Sequence, residues 1–444
     1  MMNITIPNNL SPDAEWLVEA MIDSRRHELT VLDDLTDDQM HGAQMRIIEP
    51  PIWELGHVGW FMENWILNYL DNAESIWDIA DKLYDSFNIP NEERWELAFP
   101  SQQRTVDYIT EVLQICIDRI AGKELAEDDR YFYRMVINHE DMHSETMIHI
   151  RQTLGYTRPP INFVRHLMLM DIDPDYELHD VEIPGGTFLL GATKDMPFVL
   201  DNEKWAHPHE VSPFKISATP VTAGEYMAFV EAGGYQAREY WSDEGWAWRE
   251  QAQAEQPVYW QKDDFGDWTR RVFDKYIRVQ KFEPMLHVNF YEANAYCAWA
   301  GRRLPTEVEW ELAASGEPSA DGSTFTQTKR MYPWGDAFPT TDHANLDASR
   351  TMPIDVRALP AGDSAFGCRQ MIGNVWEWTA DTFDGYPGFE IDPYDTYSEP
   401  SFGQQKVLRG GCWVTRSRVI RNTWRNFYTP DRNNIYAGFR TCAL

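Results

Sequence analysis

Cysteine is scarce in this chain of 444 residues, and its spacing is irregular. The five cysteines are widely separated, and none forms a Cys-x-x-Cys pair: Cys116, Cys297, Cys368, Cys412 and Cys442. This pattern disfavours both a disulfide framework and a cysteine-based zinc site. We therefore expect a reducing, cytoplasmic setting.

Long apolar runs and positive charge are also lacking. No apolar run reaches the roughly 18 residues typical of a membrane-spanning helix. The N-terminal string MMNITIPNNL has neither the basic start nor the apolar centre of a secretory signal. The chain has 39 basic and 71 acidic residues, so its formal net charge is −32. Such a surface repels phosphate, so we expect neither nucleic acid nor a membrane as a partner. The sequence identifies no protein partner.

Glycine is sparse in the first third of the chain, where only 5 of the 26 glycines lie within residues 1–160. Four segments there show helical periodicity: 12–32, 52–70, 103–120 and 128–154. Ser11 is a plausible N-cap of the first helix, and Gly155 would end the last. Long helices with this spacing predict a four-helix bundle.

The sequence pattern changes beyond residue 180, where Gly, Pro and Trp separate short strand-like strings such as IPGGTFLLGA and GNVWEWT. The best amphipathic stretches in this part are 223–232 and 291–300. These features predict an irregular, loop-rich domain. We therefore predict an α+β chain with two domains, residues 1–160 and 181–444, joined by a linker over 161–180.

The string HEDMH, which runs from His139 to His143, is the sharpest local signal. On a helix, residues i and i+4 share one face, so both imidazoles could reach one metal ion. Two packed or solvated histidines are the plainer alternative. The string also has the HExxH form of zinc hydrolases, in which Glu140 would be the general base. However, no third ligand follows as in those enzymes, and His149 faces another side of the helix.

His57 is a better third ligand, because the string WELGHVGWF places it on the second predicted helix. Gly56 and Gly59 beside it would allow a neighbouring element to approach closely. Three imidazoles from two helices leave positions open for other ligands. Histidine suits iron, zinc and copper alike, so the ligand type leaves the metal open.

These strings carry a family resemblance. WELGHVGWF with HEDMHSE resembles the DinB-like helical domain of the iron-dependent sulfoxide synthases. Strings in the second part are similar to the C-type-lectin-like fold of the formylglycine-generating enzyme: IPGGTFLLG, PVTAGEYMAFV, GRRLPTEVEWELAA, YPWG, GNVWEWT, LRGGCW and YAGFR. The combination resembles the ergothioneine-type sulfoxide synthases. LYDSFNIPNEERWELAFPS looks closer to their sister group, the selenoneine synthases.

The resemblance implies an enzyme that binds Fe(2+) through His57, His139 and His143. Such enzymes use dioxygen to join a thiol to the imidazole of hercynine, the trimethylated betaine of histidine, and to oxidise the sulfur. The sister group uses a selenosugar in place of the thiol. The formylglycine enzyme's own late cysteine pair is missing, since Cys412 and Cys442 stand 30 residues apart.

The segment RNTWRNFYTPDRNN, residues 421–434, forms one wall of the substrate pocket by this resemblance. Aromatic faces suit a quaternary ammonium, and amide or guanidinium groups suit a carboxylate. The expected substrate-binding residues are Trp424, Asn426, Phe427, Tyr428 and Arg432. Without the resemblance, the segment would be interpreted as an aromatic-rich edge of a core.

The resemblance also implies a tyrosine near the iron that supplies a proton. The tyrosine loop, residues 385–400, offers Tyr386, Tyr394 and Tyr397, of which we favour Tyr394 or Tyr397. Tyr428 is a further candidate.

Tyr428 also stands where the actinobacterial branch has an aspartate that binds the amino group of the thiol donor. Its presence disfavours γ-glutamylcysteine and favours cysteine or a selenosugar, although Asp431 could supply the missing charge.

Two other functional classes stay open at this point: a zinc hydrolase, and a non-catalytic module that presents aromatic pockets to a partner. We expect GNVWEWT and LRGGCW to be scaffold. Metal analysis would separate the first two classes, because the oxygenase requires iron and the hydrolase zinc.

Overall fold

The computed structural model describes residues 2–161, 172 and 175–444. The chain divides into two compact units, Met1–Asn162 and Phe163–Leu444. Most of the linker predicted at 161–180 lies outside the described residues. Helices dominate the first unit and short strands the second, so the predicted α+β class is confirmed.

The first unit is helical. Its described helices are α1 (Pro12–Leu32), α2 (Asp37–His41), α3 (Pro51–Met62), α4 (Ala80–Tyr84), α5 (Gln102–Ile120) and α6 (Glu127–Leu154). A π-helical stretch, Glu63–Tyr69, continues α3 without a break, and Asn91–Glu96 forms a short 3-10 helix. The predicted bundle of four long helices is confirmed in the described residues, with every end within one residue of its expected place.

Local sequence explains where these helices begin, end and pack. Ser11 Oγ accepts a hydrogen bond from the amide of Ala14 at 3.4 Å, and Pro12 occupies the first turn of α1. Gly155 ends α6 with a left-handed φ of 69°. The inward stripe of α5 is fully buried: Tyr108, Ile109, Val112, Leu113, Cys116, Ile117 and Ile120. Each such large side chain contributes about 1.5–3 kcal/mol of hydrophobic stabilisation.

The second unit mixes short strands with four described helices, α7 (Ala223–Glu231), α8 (Asp243–Ala252), α9 (Phe290–Ala300) and α10 (Glu307–Ser315). Its described strands are β1 (Asp180–Ile183), β2 (Gly186–Leu190), β3 (His207–Val211), β4 (Phe214–Ser217), β5 (Trp260–Lys262), β6 (Trp268–Val272), β7 (Lys275–Arg278), β8 (Arg302–Arg303), β9 (Gly316–Pro318), β10 (Phe325–Lys329), β11 (Trp376–Thr382), β12 (Lys406–Arg409), β13 (Asn426–Tyr428), β14 (Ala437–Gly438) and β15 (Cys442–Ala443). Helices α7 and α9 match the two predicted stretches, whereas α8 and α10 were not predicted.

Two four-stranded sheets organise this unit. One has the order β1-β4-β15-β8 and is antiparallel throughout; the other has the order β13-β12-β11-β14, with β14 parallel to β11. In the second sheet Tyr428 pairs with Lys406, and Asn426 pairs with Leu408. Strand β12 therefore holds the start of the expected substrate segment in a defined register. Smaller sheets are β2-β3, β9-β10 and β5-β6-β7.

The core of the second unit is rich in aromatic residues, and hydrogen bonds and ion pairs connect several of its buried polar groups. Trp310 and Trp378 are completely buried. The indole N–H of Trp310 donates to Glu377 at 2.8 Å, and Arg440 pairs with the same carboxylate. GNVWEWT thus contributes to the core, as a scaffold would. None of the helices described has the length and apolarity required to cross a membrane.

Candidate metal centre and substrate segment

The structure brings His57, His139 and His143 together inside the first unit. Their ligand atoms all lie within 4.8 Å of one another, with His57 on α3 and the other two on α6. The Nε2 atoms of His139 and His143 are 3.1 Å apart. Two nitrogens that bind one ion at right angles, each about 2.1 Å away, would be separated by about 3.0 Å. The spacing of this pair therefore fits a shared divalent ion.

His57 is held by a backbone carbonyl. Its Nδ1–H donates to the carbonyl oxygen of Tyr84 at 2.8 Å, which fixes the tautomer and leaves the Nε2 lone pair for a ligand. Gly56 makes this contact possible, because a Cβ there would lie 2.1 Å from the Tyr84 ring. At Gly59 a Cβ would lie 2.3 Å from Ile109. The expected close approach at the two glycines is therefore confirmed.

His143 is held by a carboxylate. Its Nδ1–H donates to Glu54 Oε2, and Glu54 is only 1% exposed. A carboxylate behind a metal-binding imidazole orients the ring and raises its basicity. Glu54 was not among the residues predicted from the sequence, although it stands three residues before His57, close to the same face of α3.

The environment keeps two imidazoles neutral. Burial is the main cause that lowers the pKa of His57 and His139, and the other nearby histidine rings add to it. His139 also stacks on Phe61, with ring centroids 3.5 Å apart. Neutral imidazoles are the form that binds a metal ion. Three imidazoles backed by a buried carboxylate therefore fit a divalent transition metal such as iron(II).

Glu140 points to a different part of the bundle. Its carboxylate forms a two-pronged pair with Arg25 of α1, at 2.7 and 3.1 Å, and both side chains are fully buried. This engagement disfavours a role for Glu140 as a general base. His149 lies beside Glu145, 3.7 Å away, rather than among the three histidines.

The tyrosine loop of the second unit separates its tyrosines into two environments. The rings of Tyr394 and Tyr397 stack with centroids 5.3 Å apart, and Tyr397 meets Phe427 edge-on at 5.4 Å. Burial raises the pKa of both phenols above the usual value, so both stay protonated at neutral pH. Tyr386 instead donates to buried Glu307 at 3.2 Å, as part of the core.

The expected substrate residues are not all alike in exposure. Trp424 is only 2% exposed and lies under the guanidinium of Arg421 at 5.0 Å. Asn426, Phe427, Tyr428 and Arg432 are half-buried. This burial places Trp424 within the packed interior.

Side-chain contacts of β13 and of the residues that follow it bring several of these residues close to one another or to neighbouring segments. Phe427 stacks on Phe383 at 4.0 Å. The guanidinium of Arg432 lies 5.1 Å from the centre of the Tyr428 ring. Asp431 accepts a hydrogen bond from the Thr429 hydroxyl at 2.6 Å.

Comparison with known proteins identifies the family. Hercynine oxygenase of Mycolicibacterium thermoresistibile is 36% identical to this chain over 438 residues, which cover 97% of this chain and 95% of that protein. This chain belongs to the hercynine oxygenase family. Hercynine oxygenase of Mycobacterium tuberculosis is 37% identical over 92% of this chain and 94% of its own length. The resemblance inferred from the motifs is thereby confirmed.

The second unit carries a family match of its own. Residues 171–443 match the sulfatase-modifying factor enzyme 1-like domain. The formylglycine-generating enzyme of Thermomonospora curvata is 32% identical over 59% of this chain and 92% of that protein. The predicted formylglycine-generating-enzyme-like domain is therefore confirmed.

Proposed function

We propose that the protein is an iron(II)- and dioxygen-dependent hercynine oxygenase that joins a sulfur or selenium donor to the imidazole ring of hercynine. The main observation behind this proposal is the cluster of His57, His139 and His143, of which the first two are buried and the third is half-buried. The chain is also 36% identical over nearly its whole length to a protein named hercynine oxygenase. In this proposal residues 1–160 form the metal-binding domain and residues 181–444 the sulfatase-modifying-factor domain, with 161–180 as their linker.

The proposed reaction balances with dioxygen as the sole oxidant. A C–H bond of the imidazole ring and the S–H bond of a thiol, or the Se–H bond of a selenosugar selenol, break. A C–S or C–Se bond and an S–O or Se–O bond form. One oxygen atom enters the sulfoxide or selenoxide, and the other leaves as water with the two hydrogens. Iron(II), held by the three imidazoles, would supply the redox chemistry that dioxygen needs.

Side chains of the protein itself would bind hercynine and donate protons. We assign proton donation to Tyr394 or Tyr397, whose phenols keep their protons at neutral pH, with Tyr428 as a further donor. Asn426 and Arg432 suit the carboxylate of hercynine, and the rings of Phe427 and Tyr428 suit its trimethylammonium group. Trp424 would support this wall from its buried position.

The environment of Tyr428 supports a donor other than γ-glutamylcysteine. An ammonium group here would face a phenol and the nearby Arg432 guanidinium instead of a carboxylate. Asp431 is partly engaged by Thr429. We therefore propose a selenosugar as the preferred donor, with cysteine as the smaller thiol alternative, since cysteine also carries an ammonium group.

The decisive experiment uses the full chain loaded anaerobically with iron(II). Dioxygen and hercynine are then added with cysteine, γ-glutamylcysteine or a selenosugar, and products are read by mass spectrometry. We expect a hercynine adduct that requires iron, dioxygen and a donor together. His57→Ala should lose most bound iron and nearly all turnover, whereas His41→Ala, on the exposed helix α2, should keep both. Full iron content in His57→Ala would contradict the proposed site.

The two alternatives have distinct signatures. A zinc hydrolase would be active with zinc and would not require dioxygen, and the pairing of Glu140 with Arg25 disfavours it. A binding module would retain hercynine unchanged. All five cysteines lie within the described residues, are buried and form no disulfide, which supports the proposed cytoplasmic setting.

A further inference from the structure

A short polar turn lies buried in the second unit between β2 and β3. It comprises Asp201, Asn202 and Glu203, and each of the three residues is at most 1% exposed. Burying two carboxylates and an amide is unfavourable unless partners compensate them. The partners of this turn lie on two segments distant in sequence, and both segments carry expected functional residues.

The first partner is the tyrosine loop. The Ser398 hydroxyl donates to Asp201 Oδ1 at 2.5 Å and accepts from Asn202 Nδ2 at 3.1 Å. The amide of Asp392 lies 3.5 Å from Asp201 Oδ2, and the Asp392 side chain pairs with Lys204, directly after the turn. Asp392 and Ser398 flank Tyr394 and Tyr397, so these bonds attach both ends of that stretch to the turn.

The second partner is the start of the 421–434 segment. Arg421 Nε donates to Glu203 Oε2 at 2.9 Å, and a second guanidinium nitrogen of Arg421 bonds the other oxygen. The Thr423 hydroxyl donates to Glu203 Oε2 at 2.7 Å. Arg425 Nη1 donates to the carbonyl of Asn202 at 2.8 Å. Three residues just before β13 are thus tied to the turn.

We propose that the Asp201–Glu203 turn is a positioning element that fixes the tyrosine loop relative to the substrate segment. It touches no reacting atom and acts through Ser398 on one side and Thr423 on the other. The contact between Tyr397 and Phe427 depends on both segments being in place. This inference rests on the proposed function for its kinetic readout, but not for its structural one.

A double-mutant cycle tests the connection. Ser398→Ala and Thr423→Val each remove one hydroxyl, and these hydroxyls bond different carboxylates of the turn. We expect each change to lower kcat/KM about 5- to 20-fold, because each leaves a buried carboxylate short of a donor. If the two residues are coupled, their effects should not simply multiply. The kcat/KM of the double variant should then be at least about threefold higher than the product of the two single effects predicts. Bound iron per chain should stay constant.

Two controls make the cycle specific. Ser401→Ala is the matched change in the same part of the chain, because its hydroxyl accepts from Gln405 rather than from the turn. When Ser401→Ala is combined with Thr423→Val, the two effects on kcat/KM should simply multiply. Thr423→Ser retains the hydroxyl and should stay within about twofold of the unmodified protein. Equal coupling in the two cycles would overturn the inference.

Hydrogen exchange gives a readout that does not require turnover. Ser398→Ala should speed amide exchange in residues 421–434 as well as in 385–400, and Ser401→Ala should leave 421–434 unchanged. Faster exchange confined to 385–400 would overturn the inference. If the unmodified protein does not act on hercynine, the proposed function fails, and this comparison still decides the role of the turn.

Discussion

At the scale of single residues, the three histidines depend on a carboxylate outside their own set. Glu54 is buried and accepts from His143 Nδ1. Glu54→Gln should keep the shape but remove the charge that makes the imidazole more basic, and we expect iron(II) affinity to fall about 10- to 100-fold. Competition with a chelating dye would measure the affinity for iron(II). Glu145→Gln, which alters an acid beside a histidine outside the set, is the control and should leave affinity unchanged.

We expect Glu140 to stabilise the bundle and to take no part in the proposed reaction. Glu140→Gln should leave turnover per bound iron within about threefold of normal, since the proposed reaction does not need it. Stability should drop, because Arg25 loses its main anionic partner. The loss should be smaller than the about 3–5 kcal/mol typical of broken buried pairs. Glu28 lies 3.5 Å from Arg25 and can take over the pairing.

Burial, followed by the Glu140 charge, raises the pKa of Glu28, so removing that charge favours its ionisation. Urea unfolding and iron-normalised turnover separate the two effects of Glu140→Gln. Total loss of turnover with iron fully retained would revive the hydrolase interpretation.

Position 428 should influence the choice of donor. Tyr428→Asp introduces the charge that an ammonium group needs, and it should raise kcat/KM for γ-glutamylcysteine relative to a selenosugar by about three- to tenfold. The gain is limited because Arg432 lies 5.1 Å from the ring at this position and would compete for the new carboxylate. Tyr428→Asn is the uncharged control and should leave the ratio unchanged. A clear preference of the unmodified protein for γ-glutamylcysteine would contradict this interpretation of the position.

At the scale of elements, helices with an apolar stripe beside a polar face were predictable, and helices without one were not. The long bundle helices each contain several turns of apolar spacing, so their ends could be placed within a residue. Length does not explain why α8 and α10 were missed, because α7 is equally short and was predicted. Gly245 is the only buried residue of α8, whereas every residue of α10 is buried, so neither helix has the apolar stripe beside a polar face that indicates a helix in a sequence. The histidine pair of α6 was predictable because its spacing is local.

Partners distant in sequence could not be inferred in this way. Arg25 and Glu140 are 115 residues apart, and Glu203 is 218 residues from Arg421. Only packing of the helices and strands determines these pairs. Glu54 is the exception, since its position one turn before His57 is a local signal from which it could have been predicted.

The start of α9 should make stability depend on pH. Glu292 is buried, accepts from Tyr235 at 2.6 Å and from the Asn289 amide at 2.8 Å, and its pKa is raised by burial to about 7. Between the unfolded pKa near 4.5 and about 7, the folded state binds more protons than the unfolded state. The free energy of unfolding should therefore fall with rising pH across this window and level off above it.

Glu292→Gln cannot ionise, so it isolates this contribution. From pH 4.5 to 7.5 the unmodified protein should lose about 3 kcal/mol of stability relative to the variant. Paired urea titrations at each pH measure this difference. A constant difference across the range would show that the carboxyl does not titrate in this window.

At the scale of the whole molecule, the strong acidity is a property of the surface. The deepest charged groups in the described residues lie in ion pairs or small networks that contain both signs, as in Arg440–Glu377, Arg409 with Glu307 and Glu311, and Arg25 with Glu140 and Glu28. Paired charges of this kind are shielded from dissolved salt. Most of the net charge of −32 is therefore expected to face solvent, where like charges repel one another and oppose compaction.

Salt should accordingly stabilise the fold at neutral pH. The Debye length shrinks from about 10 Å at 0.1 M salt to about 3 Å at 1 M, so surface repulsion weakens while the buried pairs keep their strength. We expect the urea midpoint at pH 7.5 to rise steadily between 0.05 and 1 M sodium chloride. The rise should be smaller at pH 5, where partial protonation of carboxylates and charging of exposed histidines reduce the net charge. A midpoint that falls with salt would mean that attractive surface pairs outweigh the repulsion.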